Sequence, residues 1–133
     1  MILADTSAWI ELQRQTGSVV DERMAYLLEH GPAPCLTEPV VMEMLIIRRS
    51  VESVATLRSR LLAFRMLPVG GLDTWEQAAL IQRTCQTGGE SVRSMLDCVI
   101  AAVAIREGAT LLHRDRDFDV IARHTTLQIE PVA

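Results

Sequence analysis

The apolar residues of this chain fall into short continuous runs and longer stretches with helical spacing. Ile2–Ala4 is the first short run, and Trp9, Ile10 and Leu12 follow it at the spacing of one helix face. The same criteria predict further strands at residues 34–36, 66–69, 110–112 and 127–129. They predict helices at residues 19–30, 38–49, 53–65, 73–87, 94–107 and 118–124.

This alternation of strands and helices predicts a single α/β domain over residues 1–133. Strands that alternate with helices pair in a mostly parallel central sheet, with helices packed on its faces. Ligands of such sheets bind beyond the carboxyl ends of the strands. Asp5 and the turn at residues 114–117 each directly follow a predicted strand, so we expect them to lie near a binding site.

Composition narrows the class of protein. An apolar content of 49% suits one globular core, and a net charge of −4 argues against nonspecific nucleic-acid binding over the whole surface. All 13 basic residues are Arg, which excludes Walker-type phosphate binding and a catalytic lysine. Cys35, Cys85 and Cys98 form no C-x-x-C pair and are expected in the core. Without an apolar run of membrane-spanning length or a secretory signal, the protein is expected to be cytoplasmic, with no membrane partner.

Two acidic residues lie in helices that are otherwise apolar. Asp97 is the only carboxylate between residues 94 and 105, and a buried helix carries an unpartnered charge only at high cost. A capping box with Ser94 is the alternative explanation. Glu43 is the only charged residue within residues 40–47. The alternative explanation is an edge position from which its side chain snorkels to solvent or pairs with a nearby Arg.

Three further acids follow predicted strands. Asp5 comes directly after the first strand, and Asp115 and Asp117 come after the strand at residues 110–112. Asp5 can instead cap the next helix, and the later pair can be a solvated turn. Arg114 and Arg116 flank that pair, and their guanidinium groups match the geometry of phosphate.

The five acids together predict a metal site. No single acid identifies a metal site, but convergence of their carboxylates in one pocket would explain all five positions at once. Carboxylates are the ligands that Mg²⁺ or Mn²⁺ prefers, and such a cation can activate water for phosphodiester cleavage. The pattern therefore predicts a metal-dependent nuclease with a site formed by Asp5, Glu43, Asp97, Asp115 and Asp117.

Four segments of the chain carry recognisable motifs: MILADTSAWIE at residues 1–11, LTEPVVME at 36–43, DCVIAA at 97–102 and LLHRDRDF at 111–118. In this order, they resemble a PIN domain, and more closely the VapC-type toxins of bacterial toxin–antitoxin modules. The resemblance spans nearly the whole chain. It implies a metal-dependent endoribonuclease, often acting on transfer or ribosomal RNA.

The resemblance also implies roles for particular residues. Asp5, Glu43 and Asp97 would form the acidic core, which Asp115 or Asp117 would complete. Thr6 or Ser7 would support the site through hydrogen bonds. His113 departs from the family pattern, where a small hydroxyl residue more often stands, and we expect a packed or exposed histidine rather than a phosphate contact.

Two partners are implied by the same resemblance: a VapB-like antitoxin whose tail wraps the toxin, and a second copy of the chain in a homodimer. The apolar helices around residues 40–47 and 57–64 are candidate contact surfaces. An Arg of the partner that entered the acidic cavity would inhibit the enzyme. Two alternatives remain open: a housekeeping nuclease of this fold acting on RNA or DNA, and a non-catalytic α/β domain that binds a regulatory metal.

Overall fold

The computed structural model describes residues 1–47 and 50–132. Strands and helices alternate along these residues, which confirms the predicted α/β class. The predicted end of the third helix, at Arg49, lies outside the described residues. In chain order the elements are β1 (Ile2–Ala4), α1 (Thr6–Arg14), α2 (Val19–His30), α3 (Glu38–Ile46), α4 (Val51–Leu61), α5 (Leu72–Thr87), α6 (Met95–Glu107), β2 (Thr110–Leu112), α7 (Arg116–His124) and β3 (Gln128–Ile129).

The central sheet is parallel, as predicted, with β2 between β1 and β3. On the other side of β1, the strands predicted at residues 34–36 and 66–69 are wrong as full strands. Each is reduced to a single parallel bridge, Leu3 with Cys35 and Leu36 with Met66. Pro34 and Pro68 lie next to these bridges and have no N–H to donate, so neither ladder can continue through them.

Helix α6 lies at the centre of the core. Eight consecutive residues, from Asp97 to Ala104, are buried in it. Ala101, Ala102 and Ala104 are small enough to let neighbouring elements approach closely. The three cysteines are also buried and unpaired, as predicted. No helix among residues 1–47 and 50–132 is long and apolar enough to cross a membrane.

Two helix boundaries differ from the prediction because polar side chains cap the helices earlier. Helix α4 begins at Val51, since the Ser50 hydroxyl accepts a hydrogen bond from Ser53 N at 3.1 Å. Helix α7 begins at Arg116, since Asp115 Oδ1 accepts from Asp117 N at 2.9 Å. The earlier start places Asp115 and Asp117 at the first turn of a helix rather than in a free turn.

The register of the sheet brings the start of the chain beside its later part. Ala4, at the end of β1, pairs with Leu112, at the end of β2. Asp5 N then donates a hydrogen bond to Leu112 O at 2.9 Å. The residues that follow the two strands therefore meet at the carboxyl edge of the sheet, where ligands of parallel sheets bind.

Candidate active site

Three carboxylates meet at this edge of the sheet. Asp97, Asp115 and Asp117 each offer an oxygen that lies within 4.8 Å of those of the other two. Asp97 is in the first turn of α6, Asp115 caps α7 and Asp117 is in the first turn of α7. Asp97 and Asp117 are each only 4% exposed. Oxygens this close together can share one hard divalent cation.

The Asp97 carboxylate has one oxygen that lacks any partner. Asp97 Oδ2 is buried and accepts no hydrogen bond from the residues that the structure describes. The Ser94 side chain does not form a cap hydrogen bond either, so the capping-box alternative is wrong. A buried polar atom without a partner costs about 1–3 kcal/mol. A cation coordinated at this oxygen would remove that cost, so the donor set fits a metal.

Asp117 is held from the segment that precedes α6. Its Oδ2 accepts hydrogen bonds from Arg93 N at 3.1 Å and from Ser94 N at 3.0 Å. Two backbone amides therefore fix the orientation of the Asp117 carboxylate. The same contacts attach the start of α6, which carries Asp97, to the start of α7.

Asp5 is buried next to this group and is held by α1. It is 3% exposed and accepts from Ser7 N at 3.0 Å and from Ser7 Oγ at 2.6 Å. Asp5 thus caps α1, as its alternative explanation required, and lies at the acidic edge as well. The Ser7 hydroxyl also accepts from Arg114 N at 2.8 Å, which links α1 to the turn after β2.

Glu43 approaches Asp5 from α3. Thr6 Oγ1 donates to Glu43 Oε1 at 3.0 Å, and the Glu43 charge helps to raise the pKa of Asp5. The Glu43 side chain is half-buried, and it lies on a helix whose Met42 and Ile46 side chains are exposed. Its partner among the described residues is the Thr6 hydroxyl, and the nearest arginines in sequence, Arg48 and Arg49, lie outside those residues.

The five acids form one electrostatic group. Burial, and after it the negative charges of Asp5, Asp115 and Asp117, together raise the pKa of Asp97 to about 9. Burial also raises the pKa of Asp5, against the effect of the Ser7 hydrogen bonds, while Glu43 adds to the rise. Acids this close repel one another when ionised, so the metal-free site is protonated at Asp97 near neutral pH.

This protonation predicts a pH-dependent stability of the metal-free protein. The pKa of Asp97 is about 9 in the folded state and 3.8 as its ordinary value, so folding favours the protonated form. The contribution of Asp97 to the free energy of unfolding is fully present below pH 3.8 and is lost as pH rises through about 9. Urea unfolding without metal should therefore give a free energy that falls toward alkaline pH.

Asp97→Asn should flatten this pH dependence, because the amide stays neutral. Asp73, exposed in the first turn of α5, provides the matched control: Asp73→Asn should keep the wild-type slope. An equal slope in Asp97→Asn and wild type would show that another group is responsible.

The surroundings differ among the three residues next to Asp115 and Asp117 in sequence, which are His113, Arg114 and Arg116. The Arg114 guanidinium forms an ion pair with Glu11 of α1. Arg116 is exposed and forms no ion pair within the described part of the chain. The side chain of His113 is 7% exposed, and its Nδ1 accepts from Asp115 N at 3.0 Å. His113 is therefore a packed histidine, as expected, while phosphate contacts by both arginines remain a prediction.

The segment that supports Asp117 was not predicted from the sequence. Gln82 forms a pair of hydrogen bonds with Val92, Nε2 to Val92 O at 2.9 Å and Val92 N to Oε1 at 3.2 Å. Glu90 accepts from Arg123 and lies 2.9 Å from His124 Nε2. Backbone amides carry no sequence signal, and a Gln or Glu among exposed helix residues resembles ordinary surface composition.

Comparison with known proteins places this arrangement in a family. The sequence matches the PIN domain over residues 2–124. Ribonuclease VapC11 of Mycobacterium tuberculosis is 44% identical over 129 residues, which cover 96% of each chain, and VapC ribonuclease Mb1587 of Mycobacterium bovis has the same identity and coverage. Relatives of this similarity favour the predicted ribonuclease over the non-catalytic metal-binding domain.

A solved structure supports the same assignment at the level of the fold. The DNA-bound VapBC structure from Salmonella typhimurium gives a TM-score of 0.74 at 18% identity and covers 99% of this chain and 98% of its own. This likeness extends over all of the elements that carry the acidic group. The chain described here therefore belongs to the PIN-domain family and, within it, to the VapC ribonucleases.

Proposed function

We propose that this protein is a toxin that cleaves RNA phosphodiester bonds with the help of Mg²⁺ or Mn²⁺. Two observations on Asp97 carry the metal requirement: its Oδ2 is buried without a partner among the described residues, and one of its carboxylate oxygens lies within 4.8 Å of oxygens of Asp115 and Asp117. Asp97, Asp115 and Asp117 would hold the cation. When bound, a divalent cation would lower the pKa of a water molecule and stabilise negative charge on the phosphate.

The remaining acids shape the side of the site that faces α1 and α3. Ser7 keeps Asp5 in one orientation through two hydrogen bonds, and Thr6 does the same for Glu43 through one. Asp5 and Glu43 can therefore accept hydrogen bonds from water without moving, which orients that water. In this proposal Thr6 and Ser7 support the metal site indirectly, by fixing the acids.

Arginines at the rim would bind the RNA backbone. Arg116 is exposed and free to reach a phosphate, whereas Arg114 must exchange or share its ion pair with Glu11. We propose transfer or ribosomal RNA as the substrate and the cytoplasm as the site of action.

We further propose a VapB-like antitoxin and a homodimer as partners. The similar Salmonella structure is a VapBC assembly, which supports an antitoxin for this chain. A groove of about 600 Å³ between α3 and α4 gives an apolar surface for such contacts, since Ile46 is 71% and Leu62 48% exposed beside it. An antitoxin Arg that reached the acidic group would compensate its charge and block the site.

The proposed cleavage is tested directly on RNA. Purified protein incubated with total RNA and Mn²⁺ should produce discrete fragments, because a positioned site cuts a small set of accessible bonds. Mapping the fragment ends by sequencing would identify the substrate and the bond. Intact RNA at equimolar protein and RNA would contradict the proposal, and ends distributed over all RNAs would point to the housekeeping nuclease instead.

A further inference from the structure

The segment at residues 88–94 forms one wall of the acidic group and carries a cation of its own. Arg93 N and Ser94 N both donate to Asp117 Oδ2, so the Arg93 backbone touches a proposed metal ligand. The Arg93 side chain is exposed, whereas the preceding Val92 is 4% exposed. The amide of Arg93 therefore faces the acids while its long side chain extends into solvent at their rim.

This segment is fixed at several points. Gln82 of α5 holds both backbone groups of Val92, at 2.9 and 3.2 Å. Glu90 binds Arg123 through both carboxylate oxygens, at 3.0 and 2.5 Å, and contacts His124 at the end of α7. A segment attached to α5, to the end of α7 and to Asp117 at its start has little freedom to move. Arg93 is therefore presented from a rigid support.

The Arg93 guanidinium has no acidic partner within the described residues. Glu90, the acid nearest to it in sequence, is already occupied by Arg123 and His124, and these contacts lower the pKa of Glu90 to about 2. Arg114, by contrast, is paired with Glu11. Arg93 thus has no ion-pair partner in the described part of the chain, while its backbone lies against the acidic group.

The negative charge of the protein and of the acidic group makes a nearby cation necessary for binding a polyanion such as RNA. The protein carries a net charge of −4, and five acids gather at the site, so the field at this edge repels a polyanion unless local cations oppose it. Binding of a phosphate backbone depends on Arg side chains that replace its counterions. On the proposed ribonuclease function, we infer that Arg93 binds an RNA phosphate on the α6 side of the acidic group. Gln82 and Glu90 are the positioning residues that hold it there.

Binding to RNA tests this inference separately from cleavage. All variants carry Asp97→Asn to prevent cleavage, and the probe is a fluorescent single-stranded RNA oligonucleotide of mixed sequence with Mn²⁺ present. Adding Arg93→Gln should weaken binding about fivefold near 0.1 M salt and reduce the slope of log K against log salt by about 0.7, the effect of one phosphate contact on a single strand. Arg93→Lys should restore most of the slope.

Arg83→Gln is the matched control, since Arg83 is an exposed Arg of α5 with no ion pair in the described residues. It should leave affinity and slope unchanged. With Asp97 intact, Arg93→Gln should raise KM and change kcat less than about twofold, and it should keep the thermal shift produced by Mn²⁺, because its amide still holds Asp117.

The outcomes distinguish a failure of the Arg93 inference from a failure of the proposed function. If wild-type protein cleaves RNA but Arg93→Gln behaves like Arg83→Gln, Arg93 is not a phosphate contact and the proposed function stands. If Arg93→Gln loses the Mn²⁺ thermal shift, Arg93 acts on the metal site and not on RNA, which also overturns the inference. If wild-type protein neither binds nor cleaves RNA, the proposed function fails and the inference fails with it.

Discussion

Asp97→Asn is expected to reduce RNA cleavage by at least about a hundredfold, the scale of losing one charge-stabilising interaction at a reacting centre. Asn has nearly the same shape as Asp, but its amide carries no charge for a cation. Among residues 1–47 and 50–132, the substitution removes the one carboxylate with a buried oxygen that lacks a partner. Initial rates of cleavage of the mapped RNA, at saturating Mn²⁺, measure the effect.

The protein should remain folded in this experiment. Without metal, Asp97→Asn removes a carboxylate whose pKa is raised to about 9 by burial and by three neighbouring acids, so at neutral pH it should unfold at a higher temperature than wild type. Asp73→Asn, at the exposed start of α5, should retain full activity. Wild-type rates in Asp97→Asn would remove this residue from the proposed mechanism.

Removal of divalent metal is expected to abolish cleavage by the wild-type protein. Addition of EDTA should stop the reaction, and excess Mn²⁺ or Mg²⁺ should restore it, because in this proposal a cation bound by the carboxylates supplies the charge that lowers the pKa of water. Binding of the cation to the folded state should also raise stability by about 2.7 kcal/mol when free metal is a hundred times its Kd. Cleavage assays and thermal unfolding across a metal titration measure the two effects.

The metal titration has its own control. Asp97→Asn should show little or no stabilisation by Mn²⁺, whereas Asp73→Asn should show the wild-type shift. Cleavage that continues at full rate in EDTA would require a mechanism without metal and would contradict the proposal, even if the same acids proved essential.

Much of the fold followed from local patterns. β1 and β2 are found at the predicted residues because each is a short apolar run that ends at a charged or polar residue. Helix α6 ends at Glu107 because Gly108 adopts a positive φ of 66° and closes the helix. Such signals lie within a few residues of the boundary that they set, so a sequence reading can detect them.

The details that were missed depend on contacts between distant residues. Pairing of residues 34–36 and 66–69 shrank to single bridges, since strand length depends on neighbours as well as on β propensity. The ion pair that occupies Arg114 joins it to Glu11, 103 residues away. The contact between Arg93 N and Asp117 uses a backbone amide, which every residue except proline possesses.

The acids were predicted from a different kind of signal. Asp97 was identified because a charge within a buried apolar helix is costly, and that cost is visible in the sequence. Its surroundings were not visible, and the capping box with Ser94 looked equally plausible. Only the spatial arrangement distinguishes the two explanations, because Ser94 uses its backbone N–H to hold Asp117 and forms no side-chain cap.

The position of β2 between β1 and β3 has a consequence for synthesis on the ribosome. The Ser7 hydroxyl accepts a hydrogen bond from an amide that lies 107 residues further along the chain. Asp115 and Asp117 belong to the same later segment. A growing chain that has released only its first hundred or so residues lacks two of the three clustered carboxylates and the middle strand. A polypeptide of that length therefore lacks the assembled acidic group, and RNA cleavage that depends on this group cannot begin before residues 115–117 have been synthesised.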